Sequence, residues 1–505
     1  MVKTPQHDTP QAPEGGIKGI LEWLALAHGR TTPEDAEELL RNALYLRDAP
    51  VSTAQRIKLL DLLYVHTEGI VRLELQQLKE LSLPIPRKTR QRMKRLLELL
   101  ETLTQDYFNT LAILFDPDDT TATHTPQTAL RRAILSIAWQ IRIYHLISAP
   151  PRQGLWQQLH AAFRTARRLE IDQQAGPRDT PSIQRLYTNT LLIGIAQPAS
   201  FSSGELEFIN TLVEQSNCEI SPDKQVIEPV GSTFWIDPDR DFPAHALVRR
   251  TPGNDIEPLY FSCAEMAQHV ATVRQTLGSG KSPEVLALPN FASTPSGQGV
   301  LRRLEKLWGQ PAKRKFPRRR QSHRTRLCSG LDTLHRLLGD GECTEEFSEW
   351  MVTNESPDGF ALMHMTGNTT QLKVGDLVAM QILDEQNQRN DAWLLCMLRW
   401  AISENPEHVE IGLQLLASRA IPTKIAYSDN PAAGAADALI LPETPPLRTT
   451  QSLVAPPGFL KENTRGIVAL VEQGNLSIRE IQTSQLDEQT GSLEIFSIRP
   501  ENEDE

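Results

Sequence analysis

The chain has 505 residues, of which 39% are apolar and 23% charged, with a net charge of −11 at pH 7. That length exceeds one ordinary core and implies roughly three domains of globular composition, and the acidic balance excludes a surface that binds nucleic acid all over. The five cysteines are scattered with no C-x-x-C pair, and no apolar run approaches the ~20 residues of a membrane span, which excludes a disulfide frame, a zinc ribbon and a transmembrane helix.

The opening MVKTPQHDTPQAPEGG has three prolines and no apolar stretch. It reads as a flexible tail over 1–15 and not as a signal peptide, so a cytoplasmic location is expected. From 16 to 216 apolar residues recur at three and four. TTPEDAEELLRNAL offers Thr32 as N-cap with Pro33 in the first turn. The next segment carries Ile57, Leu60, Tyr64, Gly69, Val71, Leu75 and Leu78 in a drifting stripe that ends at Pro84 and Pro86. Five more amphipathic segments follow, so an all-α bundle or irregular solenoid is expected. Trp156, Leu159 and His160 read as the packing face of a helix pair. No catalytic constellation assembles in this half, whose expected work is to present a surface to a protein partner.

Residues 217–312 read as a mixed α/β connector. TFWIDP, FPAHALVRR, PLYFSC and EVLALP have strand character, and AEMAQHVATVRQTL has helical character. LGSGKS ends in Gly-Lys-Ser, but the first glycine a phosphate loop needs is replaced by Gln275, a helix leads in and Pro283 follows. A solvent loop is the better account.

Residues 313–326, KRKFPRRRQSHRTR, hold eight Lys or Arg in an acidic protein. A solvated linker or a nonspecific phosphate-binding strip would explain the run on composition alone. After it come RLCSG, EEFSEWMV, GFALMHM, DLVAMQIL, WLLCMLRWAI and VEIGLQLLA, which predict a small antiparallel sheet curling into a barrel. GLDTLHRLLGDGE interrupts them as an inserted helix with Leu331, Leu334, Leu337 and Leu338 on one side, to pack under the barrel or cover its pocket. His335 on it is expected at the helix surface.

Two short patterns stand in this region. Arg320-Gln-Ser-His-Arg324 has the form Arg-x-x-x-Arg, and Asn354-Glu-Ser-Pro-Asp-Gly359 the form Asp/Asn-x-Ser-x-x-Gly. With Gly412 on a late strand and Arg399-Trp400 on the strand before it, the region 313–425 resembles the PilZ domains. The resemblance implies a non-enzymatic receptor for cyclic di-GMP, the ligand being the only small molecule implied, with no other cofactor and no metal. Two guanidinium forks could meet guanine O6/N7 edges or stack on a purine. The implied contacts are Arg320 and Arg324, on a flexible segment that closes over the ligand, with Arg318 and Arg319 beside the phosphates. Asn354 and Ser356 would face them, and Gly359 would supply a positive φ or a close approach to the ligand. On this reading a turn needs Pro357-Asp358-Gly359 but not Asn354 or Ser356. The expected output is transmission to the helical partner-binding domain. The alternative is a scaffold without ligand whose basic segment contacts nucleic acid or another acidic partner. Residues 426–500 read as further β strands, either extending the barrel or forming a second unit, and 501–505 as an acidic tail.

Overall fold

The fold is that of a computed structural model, which describes residues 16–27, 32, 34–81, 83–114, 126–177, 180–313, 315–339, 347–367, 369, 372–383, 392–405, 408–428, 434–445, 448–473 and 475–501. The expected tail 1–15, the expected acidic tail 501–505 apart from Glu501, Pro33 and Cys343 lie outside them.

The helical half comprises α1 (Gly16–Ala27), α2 (Asp35–Asp48), α3 (Thr53–Gln77), α4 (Arg87–Leu114), α5 (Pro126–Leu146), α6 (Leu155–Arg168), α7 (Ile183–Ile195) and α8 (Ser203–Gln215). Their starts follow local chemistry. Ser52 and Gln55 form a capping box on α3, and Ser202 and Glu205 form another on α8. Helix α2 begins at Asp35, after Thr32, whose backbone N–H instead donates to the Asp35 carboxylate at 2.7 Å. His160 on α6 is core. Its Nδ1 meets the Tyr187 hydroxyl and its Nε2 the Phe242 carbonyl, both at 2.8 Å.

The connector holds a three-stranded sheet of β1 (Thr233–Ile236), β2 (His245–Ala246) and β3 (Leu259–Ser262), in the order β2-β1-β3. Helices α9 (Ala264–Gly278) and α10 (Pro295–Gly309) follow. Two expectations are corrected here. EVLALP is no strand: Pro283–Leu286 is a 3-10 turn, because Pro283 fixes a turn conformation at its first position and Ala287 takes a left-handed one. Helix α10, which carries Gly297 and Gly299 near its start, lies where no helix is expected. The LGSGKS segment is the C-terminal end of α9 and the loop after it, so no phosphate loop exists there.

Two closed antiparallel barrels complete the chain. The first is built from β4 (Arg319–Ser329), β5 (Ser348–Ser356), β6 (Gly359–Thr366), β7 (Leu377–Ile382), β8 (Leu394–Asn405) and β9 (His408–Ala417), ordered β4-β5-β6-β9-β8-β7. The second uses β10 (Ile421–Tyr427), β11 (Ala436–Leu441), β12 (Ser452–Ala455), β13 (Ile467–Gln473), β14 (Asn475–Gln489) and β15 (Glu494–Pro500), ordered β10-β11-β12-β15-β14-β13. Closure leaves no free sheet edge in either barrel. The strands after 420 are therefore a second unit. Helix α11 (Leu331–Gly339) is the inserted helix. Its Leu334 and Leu337 join Leu395, Leu416, Leu439 and Leu441 in a core between the barrels, and His335 reaches the Thr423 carbonyl at 3.1 Å.

A continuous apolar core runs from the helices through the connector into the first barrel. The β8–β9 end of that barrel docks on the helices. Arg90 on α4 donates to the Ser403 carbonyl at 2.8 Å, the Ser403 hydroxyl at 2.6 Å and the Glu404 carbonyl at 3.2 Å. The Ser403 N–H donates to the Ser148 carbonyl at 2.7 Å. Helix α10 fastens the second barrel, with Arg302 donating to the Leu486 carbonyl at 2.6 Å.

Candidate functional site

The two sequence patterns meet on adjacent strands. In the β4–β5 register Arg319 lies opposite Glu355, Arg320 opposite Asn354, and Arg324 opposite Met351. Directly opposed residues stand ~4.5–5.5 Å apart at Cα. A bulge lies between these pairs: two residues of β4, Gln321 and Ser322, face only Thr353. It bends the strand, and the stretch 319–322 is exposed.

Arg320 and Arg324 are therefore not on a flexible segment ahead of the barrel. They belong to β4 itself, held by its ladder to β5. Arg319, Arg320 and Arg324 are exposed, and their guanidinium groups have no hydrogen-bond or ion-pair partner among the described residues. Arg326, further along, is engaged: its guanidinium lies 4.2 Å from the Phe347 ring centre and donates to Gln381.

The second pattern has two kinds of residue. Asn354 is half-buried, in register with Arg320 on one side and Ala361 on the other. Ser356, Pro357, Asp358 and Gly359 form the tight turn joining β5 to β6. The Ser356 hydroxyl lies 2.7 Å from the Asp358 carboxylate and 3.1 Å from the Gly359 carbonyl. The expectation that the turn does not need Ser356 is thus corrected, since its hydroxyl closes the turn. The reason for Gly359 is corrected as well. Its φ lies outside the left-handed region, and a Cβ there would sit 2.1 Å from the Leu413 carbonyl oxygen, so glycine lets β6 approach β9.

The registers continue across the barrel. Asn354 opposes Ala361, Ala361 opposes Gly412 and Gly412 opposes Trp400. A Cβ on Gly412 would fall 1.8 Å from Trp400 Nε1, so the half-buried indole lies over the glycine. The row Arg320, Asn354, Ala361, Gly412, Trp400 has polar groups at one end, two small residues in the middle and an aromatic ring at the other. Ala361 was not recognisable as part of it, because only the strand register aligns it. Beside the row, Gln414 pairs with Gly359 in the backbone, and its side chain accepts from Arg399 Nε. Arg399 in turn forms a bidentate ion pair with Glu488 of the second barrel. Burial raises the Glu488 pKa, but the charge and hydrogen bond of Arg399, joined by the Lys306 and Arg303 charges, together outweigh it, and the carboxyl ends below its usual range.

No helix among the described residues is long and apolar enough to cross a membrane. Two family models match the chain. The one described as the N-terminal domain of the cyclic-di-GMP receptor FimW matches residues 18–223, and the one described as that receptor's middle PilZ domain matches residues 342–422. The second span includes Asn354, Gly359, Trp400 and Gly412 and begins after the arginines of β4. The cyclic-di-GMP receptor FimW of Pseudomonas aeruginosa is 21% identical over 462 residues, covering 73% of this chain and 72% of the relative.

Proposed function

Because the chain belongs to the family that joins a FimW-type helical N-terminal domain to a middle PilZ domain, we propose that it is a receptor for cyclic di-GMP, the ligand named for its Pseudomonas relative. The ligand would lie on the outer face of the first barrel, along the row from Arg320 to Trp400. The observation that carries this reading is the register of Arg320 with Asn354, beside guanidinium groups that no described residue engages.

Each group has a role suited to a cyclic guanine dinucleotide. The Arg320 fork suits a guanine O6/N7 edge, a pairing worth ~1–3 kcal/mol of base discrimination. Arg319 and Arg324 suit the phosphodiesters, to which guanidinium donates bidentately. The Asn354 amide offers a donor and an acceptor to a base edge. Ala361 leaves room above the sheet, Gly412 seats the Trp400 indole, and that ring offers a face for stacking, worth ~1–3 kcal/mol per base. Ser356 and Gly359 act by holding the β5–β6 turn.

Transmission to the helical domain would run along β8. Trp400 lies three residues from Ser403, which is tied to Arg90 and to Ser148. A ligand that shifts Trp400 would load those contacts. Calorimetric titration of the full chain with cyclic di-GMP tests the proposal. Saturable binding that Arg320→Ala and Arg324→Ala each weaken by ~10-fold or more is expected. Absence of heat at micromolar protein, with salt-sensitive duplex binding instead, would favour the nucleic-acid scaffold.

A further inference from the structure

A second polar site lies between the barrels, separated from the row just described by Gln414 and Arg399, which form part of its wall. A cleft of about 540 Å³ opens between β8 and β9 of the first barrel and β12, β14 and β15 of the second. That volume is typical of small-molecule sites. Thr449, Thr450, Ser452, Ser484 and Ser497 line it.

The charges in the cleft are not all satisfied. Arg399 is fully used by Gln414 and Glu488. Asp487 accepts from the Ser497 hydroxyl at 2.8 Å and keeps an oxygen to spare. Arg448 is different: its Nη1 is buried and has no hydrogen-bond partner. A buried guanidinium donor without an acceptor is costly, and in native proteins such a group calls for an unseen water or ion. The cation, the carboxylate within its electrostatic range and the surrounding hydroxyls share one small space.

We propose that this cleft binds a phosphate group, free or as a small monoester, with Arg448 as anchor and Asp487 reading the proton on the ligand. A bare oxyanion would satisfy Arg448 but would face the Asp487 carboxylate, which can only accept. A phosphate that carries a hydroxyl satisfies both, donating its proton to Asp487 while its charged oxygens accept from Arg448 and Thr450. Sulfate has no proton to offer near neutral pH and is repelled. The cleft extends beyond what phosphate alone would fill, which admits a short hydroxylated substituent toward Thr449 and Ser484. This inference does not depend on the cyclic di-GMP reading.

The test is calorimetric titration of the full chain with inorganic phosphate and with sulfate at matched ionic strength. Phosphate is expected to bind saturably, and sulfate ~10-fold more weakly or not at all. Arg448→Gln should lose ~10-fold or more in phosphate affinity. Asp487→Asn, which keeps the side-chain shape, should bring phosphate and sulfate to similar affinity. Arg320→Ala/Arg324→Ala should bind phosphate as the parent does, which separates this site from the basic strand. Ribose 5-phosphate binding more tightly than inorganic phosphate assigns a monoester, and weaker binding assigns the free ion. No saturable phosphate binding, equal affinity for sulfate in the parent chain, or undiminished binding by Arg448→Gln would overturn the proposal.

Discussion

Replacing Gly359 by alanine separates two reasons for that glycine. The added Cβ would lie 2.1 Å from the Leu413 carbonyl oxygen, 3.2 Å from its carbon and 3.3 Å from the Gln414 Cα. An ordinary carbon–oxygen contact is ~3.3 Å or longer, so β9 must retreat by roughly 1 Å. The neighbours that resist are backbone: Gly359 pairs with Gln414, Phe360 with Leu413, and the Leu415 N–H donates to the Asp358 carbonyl at 2.9 Å. Overpacking of this kind costs ~1–3 kcal/mol, and loss of one ladder hydrogen bond adds ~0.5–1.5 kcal/mol. A destabilisation of ~2–4 kcal/mol is therefore expected in the ligand-free protein. Urea unfolding of the parent and Gly359→Ala chains, followed by far-ultraviolet circular dichroism, would read it. A change below ~0.5 kcal/mol, with cyclic di-GMP affinity alone reduced, would refute the packing argument and return Gly359 to a ligand-facing role.

Three further outcomes follow from the geometry. Gly412→Ala drives a methyl to 1.8 Å from Trp400 Nε1 and must dislodge the ring; cyclic di-GMP affinity should fall ~10-fold, as for Trp400→Ala, on the scale of one lost stacking contact, and unchanged binding by both would remove Trp400 from the site. Arg90→Ala removes the donor from three acceptors on Ser403 and Glu404; hydrogen exchange of the Ser403 amide should speed up ~10-fold or more, whereas unaltered protection would mean that Arg90 does not hold the barrel to the helices. Burial holds the His160 imidazole well below its usual range, at about 4. The unfolded chain takes up that proton near pH 6.5, so stability from this group is whole above pH 6.5 and is lost as pH falls toward 4, by ~3 kcal/mol in full. The slope of stability against pH over that window should be shallower in His160→Gln than in the parent, and equal slopes would contradict it.

Much of this architecture is legible in the chain itself. The three-and-four spacing of apolar residues marks the helical half, since a helix must present one stripe to a shared core. The β-rich character from Arg326 onward is equally plain. Pairing is what the sequence conceals. Nothing local says that Arg319 to Arg324 is strand, because eight basic residues in fourteen resemble a solvated linker until β5 is laid beside them. The closure of β10 to β15 into a second barrel depends on contacts between distant segments. Helix α10 is hidden by Gly297 and Gly299, which weaken helix propensity yet are required. A Cβ on Gly297 would meet the Phe291 carbonyl at 2.0 Å, and one on Gly299 the Gln489 carbonyl at 2.1 Å. At the candidate site, Arg320, Arg324 and Asn354 stand out by pattern. Ser356 and Gly359 fit the same pattern, yet their contacts are those of a turn and a close strand pair.

The account rests on Arg320 and Asn354 acting on one ligand from neighbouring strands. A double-mutant cycle on cyclic di-GMP binding, with Arg320→Ala, Asn354→Ala and both together, tests that most directly. The account predicts a coupling energy of ~0.5 kcal/mol or more between the two positions. Strictly additive losses, or no binding by the parent chain, would contradict it.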